Sequence, residues 1–147
     1  NVKKALDFIG SFEAIGGTAI DEGLQRALKD AEGRGAMQHI VLFVTDGHPT
    51  VGVTEEPEIA GRARSGNKGS RVFTFGVGED LNARLLDRLS EDGRGTSDFA
   101  RDGKDFEVRV SGLFDKVANP VLAGLALDLK AFDAYDVYPK KLPDLFK

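Results

Sequence analysis

The chain has 147 residues and a net charge of −4, with 41% hydrophobic and 30% charged residues. That length holds one domain with a real core. Charges of both signs are scattered along it, which leaves no basic footprint for nucleic acid, and no run approaches the roughly 20 apolar residues that a membrane span needs. There is no cysteine, so neither disulfides nor thiolate ligands are available to it. The chain opens on Asn1 in helix-like sequence, without Met or signal peptide, and reads as part of a longer protein.

Val2, Ala5, Leu6, Ile9 and Phe12 recur at helical spacing and predict a first amphipathic helix. Gly16-Gly17 breaks it. A second helix carries Ile20, Leu24, Ala27, Leu28 and Ala31 on one face and ends at Gly33 and Gly35. Thr18 and Asp21 have the spacing of a capping box at its start. Ile40-Val41-Leu42-Phe43-Val44 then runs without polar alternation into Thr45-Asp46-Gly47. Such a run predicts a parallel strand buried on both faces, covered by the helices before it, with Phe43 close to fully enclosed. Residues from Gly47 to Gly52 form a loop containing His48-Pro49. Thr54-Glu55-Glu56-Pro57 starts a short helix that ends near Gly66, with its acids where the helix dipole favours them.

Arg71 to Val77 predicts a second strand, closed by Gly76 and Gly78. Asp80 is placed to cap a helix bearing Leu81, Leu85, Leu86 and Leu89, and Gly93-Arg94-Gly95 breaks that helix. Ser97 to Ala100 reads as a short strand. Phe106, Val110, Leu113, Phe114 and Val117 mark a last helix from about Asp105 to Ala118, which Asn119-Pro120 stops. The alternation predicts an α/β fold, a Rossmann-like, mostly parallel sheet flanked by helices. Residues 1–118 make up that domain. Residues 119–147 read as the start of a separate β-rich module, with Leu125, Leu127 and Leu129 alternating as in a half-buried antiparallel strand.

Asp46 stands at the carboxyl end of its strand, where ligands bind in open α/β sheets. It suits a metal ligand, and equally an Asp-Gly turn. Gly16-Gly17 before a helix suits an anion cradle, but no Walker lysine comes after it. Gly76-Val77-Gly78 holds half of a dinucleotide fingerprint and reads as a tight strand-to-helix turn. His48, two residues past Asp46, is placed for a general base, although no serine lies in a nucleophile elbow. His39 reads as structural. Arg62, Arg64, Lys68 and Arg71 read as a solvated helix end.

The Gly16-Gly17-Thr18 loop opening a helix, the strand ending Thr45-Asp46-Gly47, and Phe75-Gly76-Val77-Gly78 before a leucine-rich helix with Asn82 near its start together resemble the von Willebrand factor type A domains. The tail narrows the resemblance. Asn119-Pro120-Val121-Leu122 and the stretch from Val137-Tyr138-Pro139 to Asp144-Leu145-Phe146 look like the segment just after this domain in inter-alpha-trypsin inhibitor heavy chains and their bacterial relatives. The resemblance implies a metal-ion-dependent adhesion site built from three loops. Thr18 and Asp46 match the second and third, with Gly16, Gly17, Gly47 and His48 as surrounding partner-binding positions. The first loop, Asp-x-Ser-x-Ser, occurs nowhere in these residues. The implied cofactor is Mg²⁺ (or Mn²⁺ or Ca²⁺), held by oxygen ligands. With the site incomplete, no tight cation binding is expected from these residues alone.

The implied function is cation-dependent binding of a protein ligand, through an acidic side chain of that partner. The implied setting is extracytoplasmic, secreted or surface-associated. Two other readings stand beside it: a metal-dependent α/β hydrolase or phosphatase using Asp46, and a metal-free structural interaction domain. The resemblance also implies a strand beside Ile40 to Val44 that these residues lack. Such an open edge is a template for pairing. It is therefore expected to be covered by a second copy of the chain in a strand-edge dimer, by Leu125 to Leu129 folded back, or by another piece of the parent protein.

Overall fold

The computed structural model of the protein describes residues 2–13, 15–30, 39–118, 120–122, 125–129, 135–138, 142 and 145–146. Within them the order is α1 (Val2–Gly10), α2 (Ile20–Lys29), β1 (Ile40–Thr45), α3 (Glu56–Gly66), β2 (Arg71–Val77), α4 (Ala83–Asp92), β3 (Ser97–Ala100), α5 (Gly103–Ala118), β4 (Pro120–Leu122) and β5 (Leu145–Phe146). β1, β2 and β3 form a parallel sheet in that order, with Val41 beside Val72 and Phe75 beside Asp98. β4 and β5 pair antiparallel in a separate ribbon. The sheet-and-helix expectation holds. Ala31, Gly33, Gly35, Asn119 and parts of the tail motif lie outside the described residues.

The core comes from strand alternation. Val41, Phe43, Val72 and Thr74 point to one face, where α2, α3 and α4 pack. Ile20, Leu24 and Leu28 of α2, Ile59, Ala60 and Ala63 of α3, and Leu85 and Leu89 of α4 close over it. Thr74 is fully buried, and its hydroxyl donates to the Leu86 carbonyl at 3.1 Å. This satisfies a polar group that would otherwise be costly to bury. On the opposite face, Phe75 meets Phe106 of α5 edge-on, with ring centroids 5.9 Å apart.

That opposite face is covered only over part of its width, which corrects the reading of β1. Among the described residues β1 is an edge strand, and its Ile40, Leu42 and Val44 side chains are exposed. Phe43 is half-buried rather than enclosed. α1 forms as predicted but has no buried residue, so it does not cover the strand. Among the described residues nothing pairs with the free edge of β1. Leu125–Leu129 adopts no strand there, because it has no ladder partner among the described residues.

Two helix starts also differ from expectation. α2 begins at Ile20 with Ala19 as N-cap and no side-chain cap, so the Thr18–Asp21 capping box is not made. Asp21 instead is buried, accepts from Gln25 Nε2 at 3.4 Å and forms an ion pair with Arg62 of α3, with Arg62 Nη1 3.2 Å from Asp21 Oδ2. α4 is capped by Asn82, whose Oδ1 accepts from Leu85 N at 3.0 Å, and not by Asp80. Of the expected basic cluster, Arg62, Arg64 and Lys68 are exposed as read, and Arg71 is not. Arg62 holds Asp21, Arg64 holds Asp92 at 2.8 Å, and Arg71 is buried. His39 is structural as read: its Nδ1 lies 3.0 Å from Ser70 Oγ.

Candidate functional site

Three loops meet at the carboxyl end of the sheet: residues 16–19 before α2, 46–55 after β1, and 78–82 after β2. In this fold class such loops, carried on a rigid scaffold, present the ligand-binding groups. The first two are tied by backbone. Thr18 N donates to Thr50 Oγ1 at 2.8 Å. The Thr18 carbonyl accepts from Thr50 N at 2.9 Å and from Val51 N at 3.3 Å. Glycine is required by this approach. A Cβ on Gly17 would stand 2.5 Å from Val51 Cγ2 and 2.7 Å from Thr50 Oγ1, and Gly16 has φ of +95°, a left-handed conformation that side chains resist.

These contacts use the backbone of Thr18 and leave its hydroxyl uncommitted among the described residues. Asp46 is exposed, and no hydrogen bond or ion pair among the described residues holds its carboxylate. The turn after β1 is closed by its neighbours. Gly47 N lies 3.4 Å from Thr45 Oγ1, and that hydroxyl lies 3.3 Å from the Gly47 carbonyl. Asp46 is therefore presented to solvent and not spent on the turn. His48 Nε2 lies 3.5 Å from Asp80 Oδ1, linking the second loop to the third at the surface. No hydroxyl is bonded to this ring among the described residues, so the pair shows no activated nucleophile.

Thr18 and Asp46 have the donor chemistry of a hard-cation site, one hydroxyl and one carboxylate. Their number falls short of the octahedral set that Mg²⁺ wants. Among the described residues no three His, Asp or Glu side chains converge where a metal ion could be held. These residues do not make a metal centre by themselves.

The structure brings Thr18, Gly16 and Gly17 against the loop that carries Asp46, Gly47 and His48. Sequence reasoning did not single out Thr50, which makes the junction, since an isolated threonine in a loop carries no periodic signal. It also passed over Arg84 and Arg88 of α4, which line a cleft of about 370 Å³ with His48, Glu55, Glu56 and Asn82. Their four-residue spacing was the signal available. At the far side of the sheet end, Arg109 bonds both Asp105, at 2.8 Å, and Asp98, at 2.6 Å. The hydrogen bond from Arg109 holds the Asp105 carboxyl below its ordinary range, and the two carboxylates raise Arg109 in turn.

A parallel sheet flanked by helices, three-stranded among the described residues, with three loops gathered at its carboxyl end, defines an α/β domain of Rossmann-like build. The chain belongs to the von Willebrand factor type A domain family, which matches residues 2–116. It is similar to inter-alpha-trypsin inhibitor heavy chain H6 of Homo sapiens, at 32% identity over 139 residues, covering 87% of this chain and 10% of that protein. Heavy chain H4 of Homo sapiens is 26% identical over 155 residues, covering 100% and 17%. Heavy chain H1 of Mesocricetus auratus is 29% identical over 135 residues, covering 86% and 15%. The chain thus spans less than a fifth of the length of these relatives. Among the described residues no helix is long and apolar enough to cross a membrane.

Proposed function

We propose that this domain is a non-enzymatic, adhesion-type protein-binding module whose binding face is the loop cluster at the carboxyl end of the sheet. The observation that carries the proposal is the junction of Thr18 with Thr50 and Val51, which sets an uncommitted hydroxyl beside the loop of an exposed Asp46 carboxylate, unpaired among the described residues. An exposed carboxylate left without an internal partner is available to a ligand. In this reading binding depends on a divalent cation, Mg²⁺ or Mn²⁺ or Ca²⁺, with Thr18 and Asp46 as two of its oxygen ligands. The family's remaining ligands belong to an Asp-x-Ser-x-Ser loop, a motif that occurs nowhere in these 147 residues. When bound, the cation supplies open coordination positions for an acidic side chain of the partner. Gly16, Gly17, Gly47 and His48 form the surface around it.

Location outside the cytoplasm belongs to the same proposal and rests on the similarity to inter-alpha-trypsin inhibitor heavy chains. So does the division into an α/β domain over residues 1–118 and the opening of a β-rich module over 119–147, which the antiparallel β4–β5 pair supports. The test uses the intact protein and Mn²⁺ as a spectroscopic probe. Electron paramagnetic resonance is expected to detect a bound Mn²⁺ that Asp46→Ala removes while thermal unfolding stays nearly unchanged. Unaltered Mn²⁺ binding in Asp46→Ala would contradict the proposal.

A further inference from the structure

We propose that the cleft between the amino ends of α3 and α4 is a second docking point, which takes an acidic side chain with a basic neighbour from a polypeptide segment crossing the sheet end. The inference rests on reading that end as a protein-binding face, and extends it from the Asp46 loop to a second pocket. His48 supplies the continuity, since it stands two residues after Asp46 and lines the cleft.

Four other arginines of the helices are already engaged. Arg26, Arg62, Arg64 and Arg109 each hold a carboxylate of this chain. Arg84 and Arg88 are exposed, line the cleft, and have no ion-pair partner among the described residues. Four residues apart, they share one side of α4. A guanidinium presents a planar fork that matches a carboxylate with two parallel hydrogen bonds. Two such forks one turn apart form the basic wall of a pocket of about 370 Å³, the size at which ligand pockets begin.

The opposite wall is acidic and is held in place. Glu56 Oε1 accepts from Asn82 Nδ2 at 2.8 Å, and the same Asn82 caps α4. One side chain thereby fixes the separation of the two helix starts, so the cleft needs little reorganisation to bind. Glu55 also lines it and has no ion pair among the described residues. A free phosphate drawn to Arg84 and Arg88 would meet Glu55 and Glu56 across the cleft, at a Coulombic cost. A segment with charges of both signs satisfies both walls. Charge complementarity therefore selects a mixed-charge polypeptide over a simple anion.

The experiment reads amide and arginine Nε–Hε resonances of the whole chain during titration. The probes are a capped Gly-Glu-Lys-Glu-Lys-Gly peptide, the same peptide with Gln for Glu, and inorganic phosphate. The Glu-containing peptide is expected to shift Arg84 and Arg88 and to saturate. Arg84→Gln with Arg88→Gln should weaken it about tenfold, as the loss of charge-assisted bonds at an exposed site predicts. Arg84→Lys with Arg88→Lys keeps the charge but not the fork, and should fall between. Equal binding of the Gln peptide, displacement of the peptide by phosphate, or shifts confined to the Thr18 and Asp46 loops would each overturn the proposal. Peptide binding that survives EDTA and Asp46→Ala would support the cleft even if the cation reading fails. Loss of cleft binding with Mn²⁺ binding intact would sink the cleft alone.

Discussion

The two faces of one sheet treat similar residues in opposite ways. Val41 and Val72 sit side by side under α2, α3 and α4, and are 6% and 4% exposed. One residue along, Leu42 and Phe73 sit side by side on the other face. Phe73 is 1% exposed and Leu42 is 47% exposed. Hydrophobicity does not separate the members of the second pair, but their neighbours do. Among the described strands β2 is central and β1 is at the edge. An apolar run thus specifies a strand, while the layers beside it decide how much each side chain contributes to stability.

The sharpest way to break the comparison is to empty each position. Phe73→Ala should cost about 3–5 kcal/mol, since it opens a cavity in a packed core. Leu42→Ala should stay within about 0.5 kcal/mol, as surface changes do. Phe43→Ala should fall between, because Phe43 is only half-buried. Denaturant unfolding gives all three values, and equal costs for Phe73 and Leu42 would show that β1 is covered after all.

The open edge also predicts association. Ile40, Leu42 and Val44 expose an apolar strip beside backbone groups that no described strand pairs, the arrangement that recruits another strand. Sedimentation should show concentration-dependent self-association of this chain, and Leu42→Lys with Val44→Lys should shift it to monomer. A monodisperse monomer before substitution would remove the strand-edge dimer from consideration.

Polar contacts sharpen the comparison on the closed side. Arg62→Ala leaves the buried Asp21 carboxylate without its ion-pair partner, with only Gln25 bonded to it, and should cost about 1–3 kcal/mol. Lys68→Ala, at an exposed neighbouring position, should cost about nothing by the same assay. Asn82→Ala removes the α4 cap and should cost about 1 kcal/mol, whereas Asp80→Ala removes no cap. If Asp80→Ala proved the costlier of the two, the helix start would be misplaced.

The smallest expected effect is in acid. The Asp105 carboxyl is held below its ordinary range by the hydrogen bond from Arg109. A folded-state pKa below the unfolded value gives stability that is fully present above the unfolded carboxylate range and is lost as pH falls through the folded value. Arg109→Ala should therefore lower the neutral plateau slightly while leaving stability in strong acid unchanged, which flattens the acid limb between them. An unchanged acid limb would contradict the assignment.

Much of this architecture was legible in the sequence, for physical reasons that differ by element. Helices α1 to α5 announce themselves by apolar spacing, and the β1 and β2 runs by β-branched and aromatic content. The Asp46 position came from the strand ending at Thr45. What was not legible depends on the third dimension. Nothing local to Ile40–Val44 says which face a neighbouring layer will cover. Thr18 has the spacing of a cap, yet its amide is taken by Thr50, 32 residues away. Asp80 and Asn82 are both reasonable caps, and only contacts with Glu56 and His48 separate their roles. The Leu125–Leu129 alternation lacks a partner strand among the described residues, and alternation alone cannot supply one.

We propose that Thr18 and Asp46 are two hard-cation donors of a site that these residues leave incomplete. Titrating Mg²⁺ into these 147 residues while following amide resonances tests it most directly. Thr18, Asp46 and Gly47 are predicted to shift together without saturating in the micromolar range, since most of the oxygen ligands are missing. A saturating micromolar site, or shifts that bypass Asp46 altogether, would contradict it.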